Sequence, residues 1–273
     1  MKNYLYLIVI VFLFHSCTKV NTLDDIPARA VVEGYLSDGQ PISIKISKEI
    51  KFESNDTIAA PINGLNLTIF DNTSNNKIFL AGSDSGIYYS PEKIISGHSY
   101  TLSFDYQSQK ITATTSIPSK PTGFAISTSQ VTVTQINIGG GFPGGGGARP
   151  NFGDAIALSW TNDDQSFYLT AYKNLETNPE SIITGAINFG FARRPTFNQP
   201  TQGSTAQINP IQLEYFGSFD VYCMHVQPEY AALYQQTNNT SINLAPPPTN
   251  IENGLGIFTG YSVDTLRLVV KKG

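Results

Sequence analysis

Residues 42–50 read ISIKISKEI. Ile42, Ile44 and Ile46 fall on one side of an extended chain and Ser43, Lys45 and Ser47 on the other, the period-two pattern of a strand with one wet face. Working outward, AVVEGYL (30–36), GLNLTIFD (64–71), KIFLAG (77–82), GIYYS (86–90), YTLSFDY (100–106) and KITATTSI (110–117) are short runs rich in Val, Ile, Tyr, Phe and Thr. Turn formers separate them: SDGQP, DNTSNN, SDSG and ISGH. Gly, Asn, Asp and Ser at such points favour reversal of the chain. Seven runs at this spacing predict an antiparallel β-sandwich over residues 28–118, and no run of comparable length has a helical period.

IPSKPTG (117–123) breaks the pattern with two prolines and a glycine and reads as a hinge. Strand patterns resume in GFAIST, QVTVTQINI, AIALSWT, SFYLTAYK, SIITGAINF, QLEYFG, FDVYCMHV and GIFTGYSVDTLRLVV, predicting a second sandwich over 119–273. One short helix is predicted at PEYAALYQQ (228–236), where Pro228 suits a first helical position and Tyr230 and Leu233 share a face. The expected fold is therefore all-β, two consecutive antiparallel sandwiches with one short helix near the C-terminus. Trp160 in an early strand and Tyr222 in a late one resemble an immunoglobulin- or fibronectin-like sandwich.

The first residues, MKNYLYLIVIVFLFHSC, predict a signal peptide over 1–16. Lys2 is followed by an unbroken apolar core from Tyr4 to Phe14, too short for a bilayer span, which needs roughly 20 helical residues. The segment resembles a bacterial lipoprotein signal, which implies that Cys17 becomes the acylated first residue. Residues 17–27 then read as a tether. With Cys17 acylated, Cys223 has no partner for an intramolecular disulfide, and its strand-like surroundings mark a small buried hydrophobe.

The chain carries a formal charge of −4 and 14% charged residues, without a basic stripe interleaved with aromatics. That argues against a nucleic-acid partner. GGGFPGGGG (139–147) formally contains G-x-G-x-x-G at Gly139, Gly141 and Gly144. A dinucleotide site needs a helix next, and ARPNFGDAIALSW leads into a strand instead. His98 and His225 stand far apart, neither with a partner four residues on, so no metal site is expected. Asp163–Asp164 read as a turn rather than a calcium loop. There is no nucleophile elbow and no pattern that selects a pair of carboxylates. The chain is read as a non-enzyme without a cofactor.

Arg-Pro-x-Phe occurs twice, in ARPNFG (148–153) and ARRPTFN (192–198). Arginine and aromatic residues supply interface hot spots. Phe189, Phe191, Arg193, Arg194 and Phe197 are accordingly the candidate partner-binding residues. Counting strands up and down places the two loops at opposite ends of the second sandwich.

AVVEGYLSDGQPISIKIS, INGLNLTIFD, SGIYYSPEKIISGHSYTLSF, VYCMHVQPEYAALY and NIENGLGIFTGYSV occur in an order that resembles a Bacteroidota lipoprotein family, domain of unknown function 4249. The resemblance implies an outer-membrane lipoprotein without assigned chemistry, commonly encoded beside a TonB-dependent transporter. It supplies no catalytic residues, and it leaves open which face of the outer membrane the body occupies. The expected function is that of an accessory or ligand-binding partner of such a transporter. A structural or adhesive surface module is the alternative.

Overall fold

The alternation at 42–46 places Ile42, Ile44 and Ile46 in the core, each at most 1% exposed, while Pro41, Ser43 and Lys45 face water. Ser47 departs from the pattern and is buried. The computed structural model describes residues 27–51, 54–137, 153–184, 196–235 and 248–273. Within them the chain forms β1 (Ala30–Ser37), β2 (Pro41–Lys48), β3 (Thr68–Asp71), β4 (Asn76–Phe79), β5 (Ala81–Gly82), β6 (Ile87–Lys93), β7 (Ser99–Tyr106) and β8 (Gln109–Ser116). There follow β9 (Ala125–Ile126), β10 (Gln130–Val133), β11 (Ile136–Asn137), β12 (Ile156–Ser159), β13 (Phe167–Asn174), β14 (Ile183–Thr184), β15 (Thr196–Phe197) and β16 (Thr205–Ile208). Strand β17 (Gly217–Val226), helix α1 (Pro228–Gln235) and β18 (Leu255–Lys272) complete the order.

These elements build an all-β protein of two sandwiches. The first core packs Val32, Ile44, Tyr88, Leu102, Phe104 and Phe258 between the large sheet and a four-stranded sheet, β4-β3-β7-β8. The second packs Trp160, Tyr168, Tyr172, Phe219, Val221 and Leu268 between the same large sheet and β16-β12-β9. Each such side chain contributes about 1.5–3 kcal/mol by leaving water. Tyr88 is fully buried because its phenol is satisfied: it donates to Ile62 O at 2.8 Å and accepts from Leu65 N at 3.1 Å.

The two sandwiches share one sheet, ordered β15-β13-β17-β18-β1-β2-β6-β5. Its spine is β18, 18 residues long and therefore about 55 Å from end to end. Residues 255–261 pair in parallel with β1 along one edge, and 269–272 pair in parallel with β10 further up that edge. The other edge pairs antiparallel with β17 from Tyr261 to Val270. The sheet is thus mixed where the sequence predicts antiparallel pairing throughout. Phe258 belongs to the first core and Leu268 and Val270 to the second.

Segment 117–123 is stitched down rather than loose. Pro118 O accepts from Ser96 Oγ at 3.0 Å and from Ser262 Oγ at 2.6 Å. Ser119 O lies 3.0 Å from His225 Nδ1, and Thr122 O accepts from Thr161 N. QLEYFG does not form the expected strand. Pro210–Leu213 is a single 3-10 turn, and Glu214 follows with φ 60°, which ends extended geometry.

Candidate functional site

Of the sequence-predicted site residues, Cys17, Phe189, Phe191, Arg193 and Arg194 lie outside the described residues, as does the glycine-rich stretch 139–147. Phe197 sits in β15 opposite Ala171 and is 48% exposed. Asn137 and Thr184, which precede the two long segments 138–152 and 185–195, are paired partners in the short β11–β14 sheet. Most of the two Arg-Pro-x-Phe loops, 148–153 and 192–198, lies outside the described residues. Strands β11 and β14 run parallel.

The two histidines each gain a structural partner that the sequence does not reveal. His98 Nδ1 lies 2.7 Å from Asp71 Oδ2, a side chain only 5% exposed. Burial pushes the Asp71 carboxyl up, but hydrogen bonds from His98, Ser74 and Thr73 together outweigh that and hold it below its ordinary value. His225 stacks on Tyr168 with centroids 4.6 Å apart. Burial, assisted by Asp264, pushes the Cys223 thiol up to about 12, so it is not a nucleophile at neutral pH. Among the described residues, no three His, Cys, Asp or Glu side chains are grouped to hold a metal ion.

A cluster of tyrosines lies on the outer face of the large sheet, against the helix that follows β17. Strand β1 alternates, so Glu33 and Tyr35 point away from the core. The chain leaves β17 at Val226, and α1 begins at once with Pro228, which brings Tyr230 and Tyr234 to this face. Tyr35 meets Tyr230 edge to face with centroids 6.2 Å apart, and Tyr230 meets Tyr234 at 5.7 Å. The Tyr230 and Tyr234 hydroxyls lie 3.2 Å apart. Tyr261 on β18 is near enough to act on Tyr230 electrostatically. Burial, then the Tyr234 hydrogen bond, raises the Tyr230 phenol. Burial and then the charge of Glu33 raise that of Tyr35. These phenols stay protonated and offer rings and hydrogen bonds rather than a reactive oxyanion. Tyr35 remains 44% exposed, and Tyr89, on the same face across β2, is 46% exposed.

The helix is fixed to the junction from below. Glu229 Oε1 accepts from Thr115 Oγ1 at 2.7 Å, and Thr115 Oγ1 in turn accepts from Gly260 N at 3.0 Å. Gln227 Nε2 donates to both the carbonyl and the hydroxyl of Ser116, each at 2.9 Å. A cavity of about 120 Å³ lies beside the helix between Glu229, Ala232, Pro248 and Ile257. A second, of about 210 Å³, is lined by Ala28, Lys48, Ile50, Lys51 and Ile58 at the start of β1. Both are smaller than the roughly 300–1,000 Å³ of small-molecule pockets. The members of the tyrosine cluster come from segments near 35, 230 and 261. The only sequence signal was the i, i+4 spacing of Tyr230 and Tyr234 inside the predicted helix.

A family model described as "Domain of unknown function (DUF4249)" matches residues 19–267. The chain belongs to this family. Among solved structures, this DUF4249 protein is similar to chicken CNTN1 FN1-FN3 domains at 9% identity and TM-score 0.28, over 90% of this chain and 68% of that one. It is also similar to a run of domains from titin at 12% identity and TM-score 0.20, over 73% of this chain and 61% of the other. No curated protein matches the chain. The sandwich assignment of this DUF4249 member rests on its own sheets and cores.

Proposed function

We propose that this protein is a non-enzymatic lipoprotein of the Bacteroidota outer membrane, acylated on Cys17, and that it docks on a TonB-dependent transporter. The observation that carries the reading is the packed tyrosine cluster, in which Tyr35 is 44% exposed and Tyr230 and Tyr234 are half-buried beside it. Tyrosine is among the side chains that dominate interface energetics, because a stiff ring and a hydroxyl are buried together. The apolar core that ends at Cys17 supports the anchor, as does the family match, which begins two residues later at 19.

Anchoring sets the energetics of docking. Two proteins confined to one membrane meet at high effective concentration, so a modest interface suffices. Attachment is tested by metabolic labelling with a fatty acid. The wild type takes up label and fractionates with membranes, whereas Cys17→Ala takes up none and is released. Persistent labelling of the variant would contradict the anchor.

A further inference from the structure

We propose that the end of the molecule at which β1 begins rests on the bilayer, with Ile58 and Ile50 inserted at the headgroup boundary and Lys48 and Lys51 on its anionic groups. The inference rests on the lipid-anchor reading and adds an orientation to it. Ile58 is 82% exposed, more than any other large hydrophobic residue among those described, and Ile50 is 42% exposed. Both line the same cavity as Ala28, the second described residue of the chain. The ten residues between Cys17 and Ala28 reach at most about 35 Å, so an acylated Cys17 keeps this end near the membrane.

The local structure holds those side chains in place. Glu49 N donates to Arg29 O at 2.9 Å, and Lys48 N donates to Ala60 O at 2.7 Å. The Arg29 guanidinium grips Glu49 through Nη2 at 2.7 Å and Nε at 3.0 Å, and Asp56, which lines the same cavity, accepts from Ser54 Oγ at 2.8 Å. Among the described residues, Lys48 and Lys51 have no carboxylate within ion-pairing distance. Exposed isoleucines beside lysines outside any ion pair among the described residues match an anionic membrane surface, where apolar burial and charge attraction add. Strand β18 starts at this end and rises about 55 Å from it, so the second sandwich stands away from the lipid.

The test uses the full-length acylated protein in vesicles of phosphatidylethanolamine and phosphatidylglycerol. A single cysteine introduced by Ile58→Cys carries an environment-sensitive fluorophore, and Lys271→Cys serves as the distal control. Cys223 is buried and its thiol is pushed up to about 12, so it does not compete for label. The proposal expects a blue-shifted Ile58→Cys probe, quenched several-fold more strongly by brominated acyl chains than the Lys271→Cys probe. Adding Lys48→Glu and Lys51→Glu should reduce that quenching. Equal quenching at both positions, in protein that still floats with the vesicles, overturns the orientation and leaves the anchor standing. A blue shift without lipid quenching, seen only when other membrane proteins are present, overturns it in favour of a protein contact. Failure to float removes the anchor and the orientation together.

Discussion

Asp71 shows how much of this fold depends on one satisfied charge. Its carboxylate accepts from Thr73 N at 2.9 Å, Ser74 N at 3.1 Å and His98 Nδ1 at 2.7 Å while almost wholly buried. Because the folded-state value lies below the ordinary 3.8, the unfolded chain takes up the proton first. The stabilisation is therefore complete above that ordinary value and is lost as acid titrates through the depressed one. Asp71→Asn should cost about 1.5–3 kcal/mol in urea unfolding near neutrality, with the difference from wild type shrinking in acid. A difference that persists unchanged through the acid range would mean that the charge is not what stabilises the site. None of this was legible in the sequence. His98 is 27 residues from its partner, and only the β3–β7 pairing, with Asp71 opposite Tyr100, brings them together.

At the scale of elements, local periodicity located most strands. The expected runs around β1, β2, β3, β6, β7, β8, β13, β17 and β18, and the helix at Pro228, form where alternation and turn chemistry place them. Two short strands, β15 and β16, escaped. Strand β16 (TAQI) has little apolar content, and β15, two residues long, pairs with β13. The larger omission was that β18 serves both sandwiches, because pairing partners are set by tertiary packing rather than by the strand's own alternation. That crossing depends on close approach. A Cβ on Gly260 would lie 2.3 Å from Ser116 O, so a side chain there forces β8 away from β18. Gly260→Ala should destabilise by about 3 kcal/mol, at the upper end for overpacking, whereas Ser43→Ala on the exposed face of β2 should stay within about 0.5 kcal/mol. Equal unfolding midpoints for the two would show that the crossing is looser than described.

For the whole molecule, the shared sheet joins the first sandwich, where β1 and β18 begin, to the second. The sequence alone favoured arginine and phenylalanine around 189–197 as the docking residues. The docking proposal adds Tyr35, Tyr230, Tyr234 and Tyr261, which the β1–β18 pairing and the helix that follows β17 gather from three parts of the chain. The two surfaces separate experimentally: Arg193→Ala with Arg194→Ala tests one, and Tyr35→Ala with Tyr230→Ala tests the other. The most direct measurement is affinity purification of tagged full-length protein from detergent-solubilised outer membrane, with recovered proteins identified by mass spectrometry. The account predicts that a TonB-dependent transporter is retained by the wild type. It also predicts that the paired tyrosine variant, folded and still acylated, loses about 2 kcal/mol of binding, or roughly thirtyfold in affinity. A wild type that retains no transporter, or a tyrosine variant that retains it as well as the wild type does, would contradict the account.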